Sequence, residues 1–148
     1  MLQHSRVLLI ATLLGVCVAC DSRHSSAAFR LPQDGNVERG KEAFAELGCA
    51  SCHRMSGVEL PPPSVQPPVP VVLGGEVELK LSDAYLVTAL INPSHQLAPY
   101  PKEQIAIGGV SRMPNYSDKM SVRQMVDTVA FLQSRYVERP TMPTYSYR

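Results

Sequence analysis

Apolar residues return at helical spacing in three separate stretches of the chain. From Asn36 to about Leu47, Val37, Ala43, Phe44 and Leu47 fall on one face at spacings of three, four and seven, with Glu38, Arg39, Lys41, Glu42 and Glu46 between them. Asn36 is suited to the N-cap and Gly48 to the stop. From Ser82 to about Asn92 a second helix is predicted: Ser82 caps it, Asp83 suits its first turn, and Leu86, Leu90 and either Ala89 or Tyr85 form the buried face, before Pro93 ends it. The third runs from Ser121, whose Ser-x-x-Gln spacing with Gln124 is a capping box, to about Val137. Its broad face comprises Val122, Met125, Val126, Val129, Phe131, Leu132 and Tyr136, and Pro140 closes it. Gly40 lies inside the first helix, where glycine costs about 1 kcal/mol relative to alanine, so close approach by another element is expected there.

Between these stretches the pattern breaks down. Residues 57–75, GVELPPPSVQPPVPVVLGG, carry six prolines from Pro61 to Pro70, which excludes helix and central strand. A surface loop of polyproline form is expected, with a docking segment of the Pro-x-x-Pro kind as the rival reading. Residues 93–120 are irregular, punctuated by Pro93, Pro99, Pro101, Gly108, Gly109 and Pro114. With no internal repeat and no sustained alternation, the expected fold is all-α: one domain over residues 36–137 with three or more helices and long loops, then a loose tail over 138–148.

The first 20 residues, MLQHSRVLLIATLLGVCVAC, follow a different rule. A short head with Arg6 leads into an almost uncharged apolar run from Val7 to Ala19, the anatomy of a secretory signal over residues 1–19. A run of that length falls short of the roughly 20 residues a membrane-spanning helix needs. Val18-Ala19-Cys20 followed by Asp21 resembles a bacterial lipoprotein signal, which implies a lipidated Cys20 and lasting attachment to the periplasmic side of the inner membrane. Cys17 stands where that motif usually has leucine, and simple cleavage after Ala19 or an uncleaved anchor are the rival readings. Residues 20–35 are then a lipidated terminus and polar tether, or else an arm packed on the domain through Phe29 and Leu31.

Composition narrows the chemistry. Of 14 Lys and Arg residues only Arg6 lies in the leader, so 13 basic residues face 13 acidic ones in the mature chain, and no basic excess points to nucleic acid. Of four cysteines, Cys17 leaves with the leader and Cys20 takes lipid, which leaves Cys49 and Cys52. An exported domain without a disulfide framework needs another staple.

That staple is suggested by Gly48-Cys49-Ala50-Ser51-Cys52-His53. Zinc wants four ligands, yet there is no second cysteine pair and the other histidines stand at 4, 24 and 95. A thioredoxin-type dithiol is expected after a strand in an α/β pattern, whereas this motif follows a helix. Covalent haem accounts for every position: two thiols add to the two vinyl groups, and the adjacent imidazole reaches the iron from one face. One haem c, attached through Cys49 and Cys52 with His53 as proximal ligand, is the expected cofactor.

Residues 36–137 resemble a class I c-type cytochrome: a helix ending at Cys-x-x-Cys-His, a central helix, a Met-Pro loop, and a closing amphipathic helix with Ala130-Phe131-Leu132. The resemblance implies that the first and last helices cross at Gly40, with Phe44 and Phe131 in contact. It also implies a proline carbonyl accepting from the proximal histidine in a Gly-Pro-x-Leu-x-Gly segment. The sequence departs from that segment, and its counterpart is spread over Pro61 to Gly75, including Pro70 and Leu73-Gly74.

Candidates for the second axial position are Met55, Met113, Met120, Met125, Met142 and His95. Met55 stands too near His53 to reach the opposite face easily, and Met125 belongs to the core face of the last helix. Met142 repeats the Met-Pro-x-Tyr pattern in the tail, and His95 would give bis-histidine ligation. Met113, in Ser111-Arg112-Met113-Pro114-Asn115-Tyr116, is a flexible thioether on a proline-fixed loop, and the resemblance implies a ligand in such a stretch. Tyr100, Tyr116 and Arg112 are candidates for the haem propionates, or else surface residues of the loop. The expected function is one-electron transfer by a membrane-anchored carrier rather than an enzyme, either as a shuttle or as the cytochrome subunit of an oxidoreductase complex. Its partners would be a donor dehydrogenase or quinol-oxidising complex and an acceptor cytochrome or oxidase. The rivals are a haem-based sensor with an open sixth position and a haem-free lipoprotein with a redox dithiol.

Overall fold

Asn36 caps the first helix by accepting from the Arg39 amide at 2.9 Å, and α1 runs Val37–Glu46. A computed structural model describes residues 29–62, 69–79 and 81–140 of the chain; the signal, Cys20 and Met142 lie outside the described residues. After α1 come a 3-10 turn at Cys49–Ser51, β1 His53–Met55, β2 Val71–Leu73, β3 Gly75–Val77 and α2 Asp83–Ile91. The chain continues with a short α3 Lys102–Ile105, β4 Ala106–Ile107, β5 Val110–Ser111, α4 Val122–Arg135 and β6 Tyr136–Glu138.

The helices sit where the sequence periodicity puts them, with corrections at their edges. In α2, Leu86 and Leu90 are buried as expected, but the third buried position is Val87 rather than Ala89 or Tyr85, because a stripe at i, i+1 and i+4 is turned toward the core. In α4, Ser121 and Gln124 form the reciprocal capping box, while Val122 is 74% exposed and does not join the buried face the sequence predicts. The helix also ends two residues early. Tyr136–Glu138 leaves it to pair in parallel with Gly75–Val77, and the Arg139 amide donates to the Val77 carbonyl at 2.9 Å.

The all-α expectation is therefore too narrow. Helices form the frame, but among the described residues three two-stranded pairs stitch the loops: β1 with β2 and β3 with β6 in parallel, and β4 with β5 antiparallel. Each strand is only two or three residues long, too short to print an alternating pattern on the sequence. Pro70 precedes β2 rather than interrupting it, consistent with a strand that starts immediately after the proline run.

The core is organised by the crossing of α1 and α4. A Cβ on Gly40 would clash with the Asp127 carbonyl and come within 2.8 Å of the Phe131 Cβ, so only a glycine lets the backbones meet. Beside it the Phe44 and Phe131 rings meet edge-on at 5.7 Å, an arrangement that aligns ring edge with ring face. Asp127 is buried at the same crossing; it accepts from the Asn36 amide at 2.8 Å and from the Arg39 guanidinium at 2.8 and 3.2 Å. The last residues of the stretch read as a tether run along this frame: the Leu31 amide donates to Asp83 at 2.9 Å, Asp34 pairs with Arg123 at 3.1 Å, and Gly35 packs against Ala130 and Val126.

Candidate functional site

The cysteine motif is shaped by what ends α1. The Leu47 amide still donates back to Ala43, and Gly48 then adopts φ +74°, a left-handed conformation that reverses the chain. The 3-10 turn that follows is closed by Ser51 N–H to Gly48 at 3.0 Å and Cys52 N–H to Cys49 at 3.2 Å. Cys49 is thereby buried and Cys52 exposed, both as free thiols. The Arg54 guanidinium reaches back to the Ala50 carbonyl at 3.2 Å, bracing the turn from its far side.

His53 begins β1, whose partner positions it. In the parallel register His53 is opposite Val71, and the Val71 amide donates to the Cys52 carbonyl at 3.2 Å. The imidazole is half-buried, 6.3 Å from the Phe44 ring. Burial pushes it below its ordinary pKa, and the Val71 backbone, which favours the charged ring, offsets this only in part. Nδ1 itself is buried and has no partner at hydrogen-bond geometry. The backbone group acting on the ring is thus that of Val71, the residue after Pro70, rather than of a proline as the resemblance implies.

Met113 follows the β4–β5 hairpin, whose turn is made by Gly108 at φ +57° and Gly109 at φ +84°. Its amide donates to the Ser111 hydroxyl at 3.1 Å, and Ser111 is tied to the Ser94 hydroxyl at 3.0 Å. Met113 is half-buried against the same cluster that contains Cys49, Ala50, Leu86, Leu90, Tyr116 and Met120. The other candidates separate clearly. Met55 and Met120 are buried within the core, Met125 packs against it from α4, and His95 is exposed.

Of the three propionate candidates, Tyr116 departs from the reading as a loop surface residue. Tyr100 and Arg112 are exposed, but Tyr116 is only 6% exposed. Its hydroxyl donates to the Leu47 carbonyl at 3.2 Å and interacts with the Cys49 thiol. Burial first, and then Cys49, push the phenol up to about 12; burial likewise raises the Cys49 thiol, against the opposing effect of Tyr116. A lone tyrosine in an aperiodic loop gives no periodic signal of burial, which is why the sequence did not reveal it.

The donor set fits a covalent haem. Two unpaired thiols, one facing the core and one facing solvent, share a single turn with an imidazole directly after them. Among the described residues no group of three or more His, Cys, Asp or Glu gathers as a metal-ion site.

A Cys-x-x-Cys-His turn on a helical frame, with a methionine loop packed on the same apolar cluster, is the donor set of a c-type haem protein. Residues 37–135 match the family model described as Cytochrome c, and the chain belongs to that family. It is accordingly a protein of one covalent haem c, with electron transfer as its chemistry. No curated protein matches the chain, and no solved structure does.

Proposed function

We propose that the protein is a membrane-anchored, monohaem electron carrier in which Cys49 and Cys52 hold the haem by thioethers and His53 and Met113 are the axial ligands. When bound, the haem supplies the Fe(III)/Fe(II) couple, a one-electron exchange. The chain's residues prepare the site for it. The 3-10 turn places the two sulfurs three residues apart at its start and its cap, the imidazole lies opposite Val71 with the Phe44 ring at 6.3 Å, and the hairpin carries Met113 to the shared core.

The single observation that carries the reading is the packing of the Met113 loop on the cluster that also buries Cys49. A methionine ligand raises the potential relative to bis-histidine ligation, so a fairly oxidising carrier is expected. Lipidation at Cys20 would hold it at the periplasmic face of the inner membrane, where a dehydrogenase or quinol-oxidising complex and a terminal acceptor would dock weakly. Those placements rest on the sequence motif of residues 1–21.

Visible spectra of the haem-loaded native chain and of Met113→Ala test the proposal. A six-coordinate low-spin spectrum with the weak Fe–Met charge-transfer band in the native chain, lost in Met113→Ala, is the expected result. A high-spin native spectrum would instead favour a sensor with an open sixth position.

A further inference from the structure

We propose that Tyr116 is a positioning residue: its side chain bolts the loop that carries Met113 to the end of α1, and so holds the second axial ligand on the iron. The proposal rests on the reading of Met113 as that ligand. It goes beyond that reading by naming what keeps the loop closed.

The geometry is specific to this residue. The Tyr116 amide donates to the Leu90 carbonyl at 3.1 Å, in the last turn of α2. The hydroxyl donates to the Leu47 carbonyl at 3.2 Å, one of the C-terminal carbonyls that a helix leaves without an intrahelical donor. The Tyr116 carbonyl accepts from the Lys119 and Met120 amides at 3.1 Å each, starting the turn that leads into α4. One residue therefore ties the loop to the ends of α1 and α2 and to the approach to α4. Nothing else in the loop reaches α1 by a side-chain hydrogen bond among the described residues.

Met113 is separated from this anchor by Pro114 and Asn115 alone. Pro114 has a fixed φ, and the Asn115 carboxamide is occupied by the Ser117 amide at 2.7 Å. Three residues span at most about 10 Å when fully extended, so the thioether has little slack relative to the phenol. Leu47 directly precedes Gly48 and the cysteine turn, so the bolt holds the loop to the end of α1 from which that turn starts. Phenylalanine would fill the same space but would leave the Leu47 carbonyl without this donor.

The test is competition for the sixth position. Imidazole is titrated into the ferric, haem-loaded protein and loss of the Fe–Met band is followed. Tyr116→Phe should retain the band without imidazole, and should bind imidazole about fivefold more tightly, the loss of one buried hydrogen bond from the closed state. Asp127→Asn, which weakens the fold at the opposite crossing, should leave that affinity unchanged, so general destabilisation does not reproduce the effect. Equal imidazole affinity in Tyr116→Phe and the native chain overturns the proposal. A Fe–Met band that survives in Met113→Ala overturns the ligand reading and this proposal with it, and that failure is visible without any Tyr116 variant.

Should Tyr116→Phe fail to accumulate, hydrogen exchange on the native holoprotein decides. The Tyr116 amide should exchange as slowly as the core amides of α2. Exchange at the rate of the exposed hairpin tip overturns the bolt.

Discussion

The ring of Phe44 meets the ring of Phe131 edge-on at 5.7 Å, one turn of α1 beyond the glycine that lets the two helices touch. Gly40 and Phe44 share a face at i and i+4, so backbone contact and aromatic contact act as one clamp. Gly40→Ala drives a methyl into the Asp127 carbonyl and the Phe131 Cβ, neither of which is the free end of a flexible side chain. We expect a loss of about 3 kcal/mol, read as a lower urea midpoint, with haem still attached because the cysteine turn lies beyond the crossing.

Asp127 gives the clamp a pH dependence. The Arg39 guanidinium, then the Asn36 amide, hold its carboxylate below the ordinary range; Arg123 adds to this, while nearby Asp34 is paired with Arg123. A group whose folded pKa is depressed contributes stability above its unfolded pKa, near 3.9 for aspartate, and loses that contribution as pH falls through the folded value. Asp127→Asn should therefore cost about 2 kcal/mol at neutral pH. The gap between variant and native chain should close below about pH 4, as measured by denaturant melts across pH.

The capping box of α4 predicts a smaller effect. Ser121 Oγ accepts from the Gln124 amide at 3.1 Å, and Gln124 Oε1 accepts from the Ser121 amide at 3.0 Å. Ser121→Ala removes the first of these and should cost about 1 kcal/mol. A thermal melt with an unchanged midpoint would show that packing of α4 alone sets its start.

Attachment can be read by mass. Cys49 and Cys52 are free and differ in exposure, so each single Cys→Ala variant should keep one thioether and the mass of one haem. The double variant should release its haem under denaturing extraction. Haem retained covalently by the double variant would place the attachment elsewhere.

Much of this was legible in the residues themselves. Asn36, Ser82 and Ser121 cap because their side chains compete for the first helical amides, and α1, α2 and α4 follow within a few residues. Gly40 announced a close approach that α4 supplies. The Cys-x-x-Cys-His turn is a covalent signature that depends on spacing alone. The short strands were not legible, because two or three residues carry no period and their pairing is decided by what lies opposite.

The sequence by itself determined the helical frame, the Cys-x-x-Cys-His turn at the end of α1 and the proline-fixed setting of Met113, since each depends on local chemistry over a few neighbouring positions. Only the tertiary structure decided that Val71 lies opposite His53, that Asp127 is buried against Arg39, and that Tyr116 joins the Met113 loop to Leu47. Those contacts connect residues 18 to 88 positions apart, and a hydrogen bond across such a distance is set by how whole helices cross, not by any pattern along the chain.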